Sequence, residues 1–166
     1  MITPEYARVM AAYNAEMNRR LYDAAGRLTD AERRQDRGAF WSSIHGTLAH
    51  LLWADRMWMH RFAGWDRPAA DLADSARDER PFPEMRAERE GIDARIEAWA
   101  GALDPAWLRG DLTWFSGALG REMSRPKTLV LAHMFNHQTH HRGQAHAMLT
   151  AAGQQTGSTD LVLLVQ

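Results

Sequence analysis

The sequence predicts an all-α protein, an antiparallel four-helix bundle with a small hairpin or extended excursion before its last helix. Three observations carry that prediction. Apolar residues recur at helical spacing in four long segments. Proline, glycine and hydroxyl residues stand where those segments should begin and end. The 166 residues, with no internal repeat or low-complexity linker, suit a single domain spanning 1–166.

Thr3 and Pro4 have the character of an N-cap and first helical residue. Tyr6, Met10, Tyr13, Met17 and Leu21 follow at intervals of three and four, and Gly26 stands at the end, so a helix is expected over 4–25. Thr29-Asp30-Ala31-Glu32 has capping-box spacing and can start one short turn before a polar stretch to Gly38. Ser42 or Ser43 caps the second long helix, expected over 42–63. Ile44, Leu48, Leu51, Asp55, Trp58, Met59 and Phe62 fall on one broad side of it, while Trp53 and Met57 add apolar surface elsewhere. Such a helix is buried between neighbours or at a subunit contact.

Residues 64–81 have no period and read as a connection long enough to cross the end of a bundle. Phe82-Pro83 opens the third helix, with Met85, Ile92, Ile96 and Trp99 inside, and Leu103-Asp104-Pro105 ends it. Leu112 to Ser124 reads as the hairpin or excursion. Pro126 opens the last helix and Gly153 stops it. The apolar, β-branched tail 161–165 is expected as a short strand or extended cap.

Composition excludes several chemistries. With no cysteine there is no disulfide, thiolate metal site or cysteine nucleophile, so a metal must be held by histidine nitrogen or oxygen. Twenty basic against 21 acidic residues give a net charge of -1, so no global charge recruits nucleic acid or an anionic membrane, which leaves only a local basic patch open. No apolar run is long enough to span a bilayer. The first residues lack a basic region followed by an apolar run, so no secretory signal is expected and the cytoplasm is the expected compartment.

Of eight histidines, five lie between 133 and 146. At about 100° per residue, His133, His137 and His141 share one stripe with Gln144 next in line; His140 is about 60° off it and His146 nearly opposite. Residues four apart are separated by about 6 Å along the axis and residues eight apart by about 12 Å. Imidazoles bond a metal at about 2.0–2.1 Å, so one ion can be shared by His133/His137 or His137/His141. A third ligand must come from elsewhere, and His50, in the middle of the second helix, is better placed to face the interior than His45 or His60. No glutamate completes an HExxH pattern, which disfavours peptidase chemistry of that type.

The run His133-Met134-Phe135-Asn136-His137-Gln138-Thr139-His140-His141-Arg142-Gly143-Gln144 resembles the last-helix signature of the DinB family, within the DinB/YfiT-like metalloenzymes. Ser43 to Leu52 with Asp55-Arg56-Met57-Trp58 is similar to its second-helix signature, and Tyr13-Asn14 with Arg19-Arg20-Leu21 to its first helix. The resemblance implies one divalent transition metal held by His50, His137 and His141, with zinc or nickel foremost and iron or copper also suited to three imidazoles. It makes His133 a neighbour on the stripe and turns His140 aside. Three ligands leave coordination positions for water or substrate.

Four residues are candidates for supporting roles. Gln144 can hydrogen-bond a ligand imidazole. Asp55 can orient an imidazole or pair with Arg142, with a purely structural ion pair as the alternative. His133 and Trp114 can line a pocket, Trp114 at its mouth. The remaining tryptophans read as core and interface, and Arg142 and Gly143 as close helix contacts.

The family resemblance implies a metal-dependent enzyme acting on a small-molecule substrate, transferring an external low-molecular-weight thiol or hydrolysing; no catalytic residue is assigned. The rival readings are a non-catalytic metal-binding module of the stress response and a dimeric interaction scaffold. A homodimer is expected from Trp53, Met57 and the apolar tail.

Overall fold

The computed structural model describes residues 2–164. Four long helices, two short ones and a two-stranded hairpin make up the fold: α1 (Pro4–Gly26), α2 (Asp30–Arg34), α3 (Ile44–Ala63), α4 (Phe82–Gly101), β1 (Asp111–Ser116), β2 (Arg121–Pro126), α5 (Lys127–Ala151) and α6 (Leu161–Leu164). A single 3₁₀ turn, Leu72–Asp74, interrupts the connection between α3 and α4. Helix α1 packs on α4 and α5, and α3 packs on the same two helices. The chain is therefore mostly helical but not all-α, because the hairpin is a true antiparallel sheet pairing Asp111 with Pro126 through Ser116 with Arg121.

Local chemistry explains where the elements begin. The Thr3 hydroxyl accepts from the Tyr6 amide, and Pro4 lies in the first turn of α1. Thr29 and Glu32 form a reciprocal capping box on α2. Of the two serines before α3, Ser43 is the cap and accepts from the Gly46 amide, whereas Ser42 sits at φ 60° just outside the helix. Gly64, at φ 68°, closes α3.

The tail departs from expectation. Residues 161–164 form one turn of helix, with Val162 and Leu163 exposed, and Val165 lies outside the described residues. β-branched residues favour a strand only where a partner strand is at hand. The hairpin is the one sheet among the described residues, so the tail satisfies its backbone locally. Trp53 and Met57 also do not form a free outer face. Met57 is buried, and the Trp53 indole donates to the Ala70 carbonyl at 2.8 Å. Among the described residues no helix is long and apolar enough to cross a membrane.

The core is built from Leu21, Leu48, Leu51, Met59, Met85, Ile96, Leu131 and Phe135, all almost fully buried. Each such side chain contributes about 1.5–3 kcal/mol by leaving water. Threaded through this core is a polar cluster. Arg89 on α4, fully buried, donates to Asp55 on α3 at 2.7 Å and to Asp93 at 2.6 Å. Asn18 on α1 donates to Asp93 at 3.0 Å, and Gln138 on α5 donates to Asp55. All four long helices thus meet at one charged group.

That arrangement fixes a stability expectation. Replacing Arg89 with methionine leaves two buried carboxylates without their counter-charge and should cost about 3–5 kcal/mol. The measurement is the urea midpoint, which should fall sharply; a midpoint close to wild type would show that the cluster holds nothing.

Candidate metal centre

His50 comes from the middle of α3, and His137 and His141 from successive turns of α5. Helices α3 and α5 are direct neighbours, so the two faces meet. One ligand nitrogen from each of the three imidazoles falls in a group whose atoms all lie within 4.8 Å of one another. The Nε2 atoms of His50 and His137 are 3.2 Å apart. Ring centroids are 4.9 Å apart for His50 and His141, and 4.5 Å for His137 and His141. His133 stays outside this group, its ring 5.8 Å from that of His137 and 5.4 Å from Trp58. Spacing alone left two pairs open, and in the fold the second pair is the one facing His50.

Hydrogen bonds dictate which nitrogens are available. The Ser75 hydroxyl gives its proton to the Leu72 carbonyl at 2.8 Å, so it accepts from His50 Nδ1, also at 2.8 Å. His50 therefore carries its proton on Nδ1 and presents a lone pair at Nε2. The Gln144 side-chain oxygen can only accept, and it lies 2.8 Å from His141 Nδ1, which puts the His141 lone pair on Nε2 as well. Polar partners behind ligand imidazoles are what a metal site requires to hold tautomer and ring orientation. The donor set fits a divalent transition metal on this ground.

Burial keeps the cluster neutral. His50 and His141 are buried, and His137 is half-buried. Burial, reinforced by the neighbouring imidazoles, pulls His50 down to about 3 and His137 to about 4, and burial lowers His141 in the same direction. Neutral imidazoles are the metal-binding form.

Aromatic rings close the surroundings. Trp41 stacks on His50 with centroids 4.1 Å apart, and Trp53 stacks on it at 5.9 Å. The approach of Trp41 depends on Gly46, since a Cβ there would lie 2.6 Å from the Trp41 carbonyl oxygen. A cavity of about 1210 Å³ opens from His50 and His137 past His133 and Trp58 to Trp114 and Phe115 on the hairpin. Edge-on contact between Trp58 and Trp114, 5.7 Å between centroids, ties the hairpin to α3.

A model of the DinB family matches residues 1–166. The chain belongs to the DinB family. Among curated proteins, Protein DinB of Bacillus subtilis (strain 168) is 25% identical over 158 residues, covering 94% of this chain and 91% of that relative. No solved structure gives a significant match.

The sequence-derived residues divide accordingly. His50, His137 and His141 are brought together, Gln144 holds His141, and His133 and Trp114 line the cavity. Of the roles open to Asp55, the structural ion pair is the one seen: among the described residues it pairs with Arg89 on α4 and hydrogen-bonds neither an imidazole nor Arg142. Arg142 instead lies over the Tyr13 ring, and the Tyr13 hydroxyl donates to the Thr159 carbonyl. His140 is exposed beside Gln144. His45, His60 and His146 bond the Asp78 carbonyl, the Trp65 carbonyl and Thr156. Sequence reasoning missed Trp41, Ser75 and Arg61. Ser75 lies in the aperiodic connection, which gives no register to read. Arg61 follows Trp58 by three residues on α3, a spacing that could have marked a cation against an aromatic wall.

A pH expectation follows from the lowered imidazoles. The unfolded chain binds protons near the ordinary value of 6.5, and the folded chain resists them until about 4 or below. Between these limits the unfolded state holds more protons, so stability is full above about 6.5 and falls as the pH drops. In metal-free protein, the urea midpoint between pH 6.5 and 4.5 (about) should fall less steeply for His50→Gln than for wild type. Identical slopes would show that His50 is not held neutral by the fold.

Proposed function

We propose that this DinB-family protein binds one divalent transition metal through His50, His137 and His141 and uses it on a small-molecule substrate. The observation that carries the reading is the convergence of three neutral imidazoles, with Nδ1 of His50 and His141 engaged elsewhere, at the end of an apolar cavity. Zinc and nickel suit this donor set best, with iron and copper also compatible. The architecture is an antiparallel four-helix bundle forming one domain, on the support that each long helix packs against two others.

When bound, the ion supplies Lewis acidity and a positive charge that would hold a small thiol as its thiolate. The chain's own residues do the rest. Ser75 and Gln144 keep the imidazoles oriented. Trp41 and Trp53 shield His50 from water, which strengthens electrostatic interactions at the site. Trp58 and Trp114 offer flat apolar surface for the body of a substrate. The chain has no cysteine, so if nucleophilic sulfur takes part it arrives on an external low-molecular-weight thiol. The reaction class we favour is thiol-dependent transfer, with hydrolysis as the variant in which water replaces the thiol. We place the protein in the cytoplasm as a homodimer, supported by the exposed apolar side chains Val162 and Leu163.

Metal analysis of untagged protein tests the reading. One ion per chain is expected, and none in His137→Ala, whose circular dichroism should stay helical. Less than half an ion per chain after reconstitution (about), or unchanged affinity in His137→Ala, would contradict it. Turnover then requires the loaded protein, a small thiol and an electrophile together. Metal binding without turnover over a broad panel would favour the non-catalytic module.

A further inference from the structure

The cavity contains a charge that the metal reading does not use. Arg61, on α3 one turn beyond Trp58, holds its guanidinium over the Trp58 ring at 4.5 Å and 5.7 Å from the Trp114 ring. Among the described residues it has no acidic partner. The one charge acting on it is Arg67, a like charge. Burial together with Arg67 lowers its pKa to about 10, so it remains a cation at neutral pH. The other charged groups on the cavity wall lie nearer solvent. Arg67 pairs with Asp71 at 2.9 Å, and Arg125 is exposed on the hairpin and donates to the Ser124 carbonyl at 2.7 Å.

A guanidinium stacked by its face on indole keeps its in-plane N–H donors free, and those donors match the two oxygens of a carboxylate. Stacking also pre-orders a side chain that otherwise has many rotamers, so less freedom is lost when an anion binds. Among the described residues Arg125 also has no acidic partner, but it is exposed on the hairpin, whereas Arg61 is the cation stacked on the aromatic wall, and its fork takes one carboxylate. Between Arg61 and the histidines the wall is Trp58, Trp114 and His133, which are apolar or neutral.

We propose that the cavity binds a small amphipathic carboxylate, with its carboxylate on Arg61, its apolar body along Trp58 and Trp114, and its far end toward His50 and His137. The orientation rests on the reading of the three histidines as the working site, whereas the carboxylate subsite does not. Arg61 thereby sets which small molecules enter: acids in preference to their neutral analogues.

The test uses metal-free protein, tryptophan fluorescence as the readout, and 4-phenylbutyrate and 4-phenylbutanamide as probes. Wild type should bind the acid at least about tenfold more tightly than the amide. Arg61→Gln should erase that preference while retaining amide affinity, and Arg61→Lys, which keeps the charge, should restore part of it. Equal binding of acid and amide by wild type overturns the proposal, as does a preference surviving in Arg61→Gln. So does an acid that fails to bind wild type below about 10 mM. Protein that takes up no metal yet shows the Arg61-dependent preference upholds the carboxylate subsite and refutes the metal reading. Protein that takes up metal without the preference does the reverse.

Discussion

The site depends on the register between two helices, and one side chain does most to set that register. Gln138 on α5 donates to the Leu51 carbonyl at 3.3 Å and to the Asp55 carboxylate, both on α3. Its neighbour in sequence is His137, and the neighbour of Leu51 is His50. Locking Gln138 to α3 therefore sets His50 opposite His137 and, one turn on, His141. A slip of one residue would rotate α5 by about 100° and carry both imidazoles away from His50. Apolar packing alone gives weak protection against such slips, because one methyl-bearing side chain can replace another at modest cost. A buried amide and carboxylate cannot slide without losing their partners.

Asp55 is held in turn by Arg89, and Arg89 by Asp93 and Asn18, so the register lock reaches all four long helices. Burial pushes the Asp55 carboxyl up to about 6 against the pull of Arg89, while the paired carboxylates raise the guanidinium further. The ion pair is thus internal scaffolding that holds α3 and α5 in place, and its residues do not line the cavity. The same constraint explains the division of labour on α3: His50 and Arg61 serve the cavity, Asp55 serves the interior.

Much of this was legible in the sequence, because the signals were local. Thr3-Pro4, Thr29 to Glu32 and the Ser42-Ser43 pair mark helix starts through hydrogen bonds within a few residues. The histidine stripe is a property of one helix and needs no tertiary knowledge. Choosing His137 and His141 over His133 and His137 needed either the family resemblance or the fold, since it depends on how far α3 reaches along α5. The partners of Asp55 and His50 were hidden for the same reason. Arg89 and Ser75 lie 34 and 25 residues away in sequence, on segments whose relative placement no local pattern encodes. The tail 161–165 misled because strand propensity describes a residue's fit to a sheet, and no open partner strand adjoins it.

Whether the three neutral imidazoles positioned by the α3–α5 register share one metal ion can be seen by anomalous diffraction at the metal's absorption edge, from crystals of untagged and reconstituted protein. One strong peak per chain is expected, about 2.0–2.1 Å from Nε2 of His50, His137 and His141. A peak held by His133 and His137, one on the exposed His140, or no peak on any of these residues would contradict it.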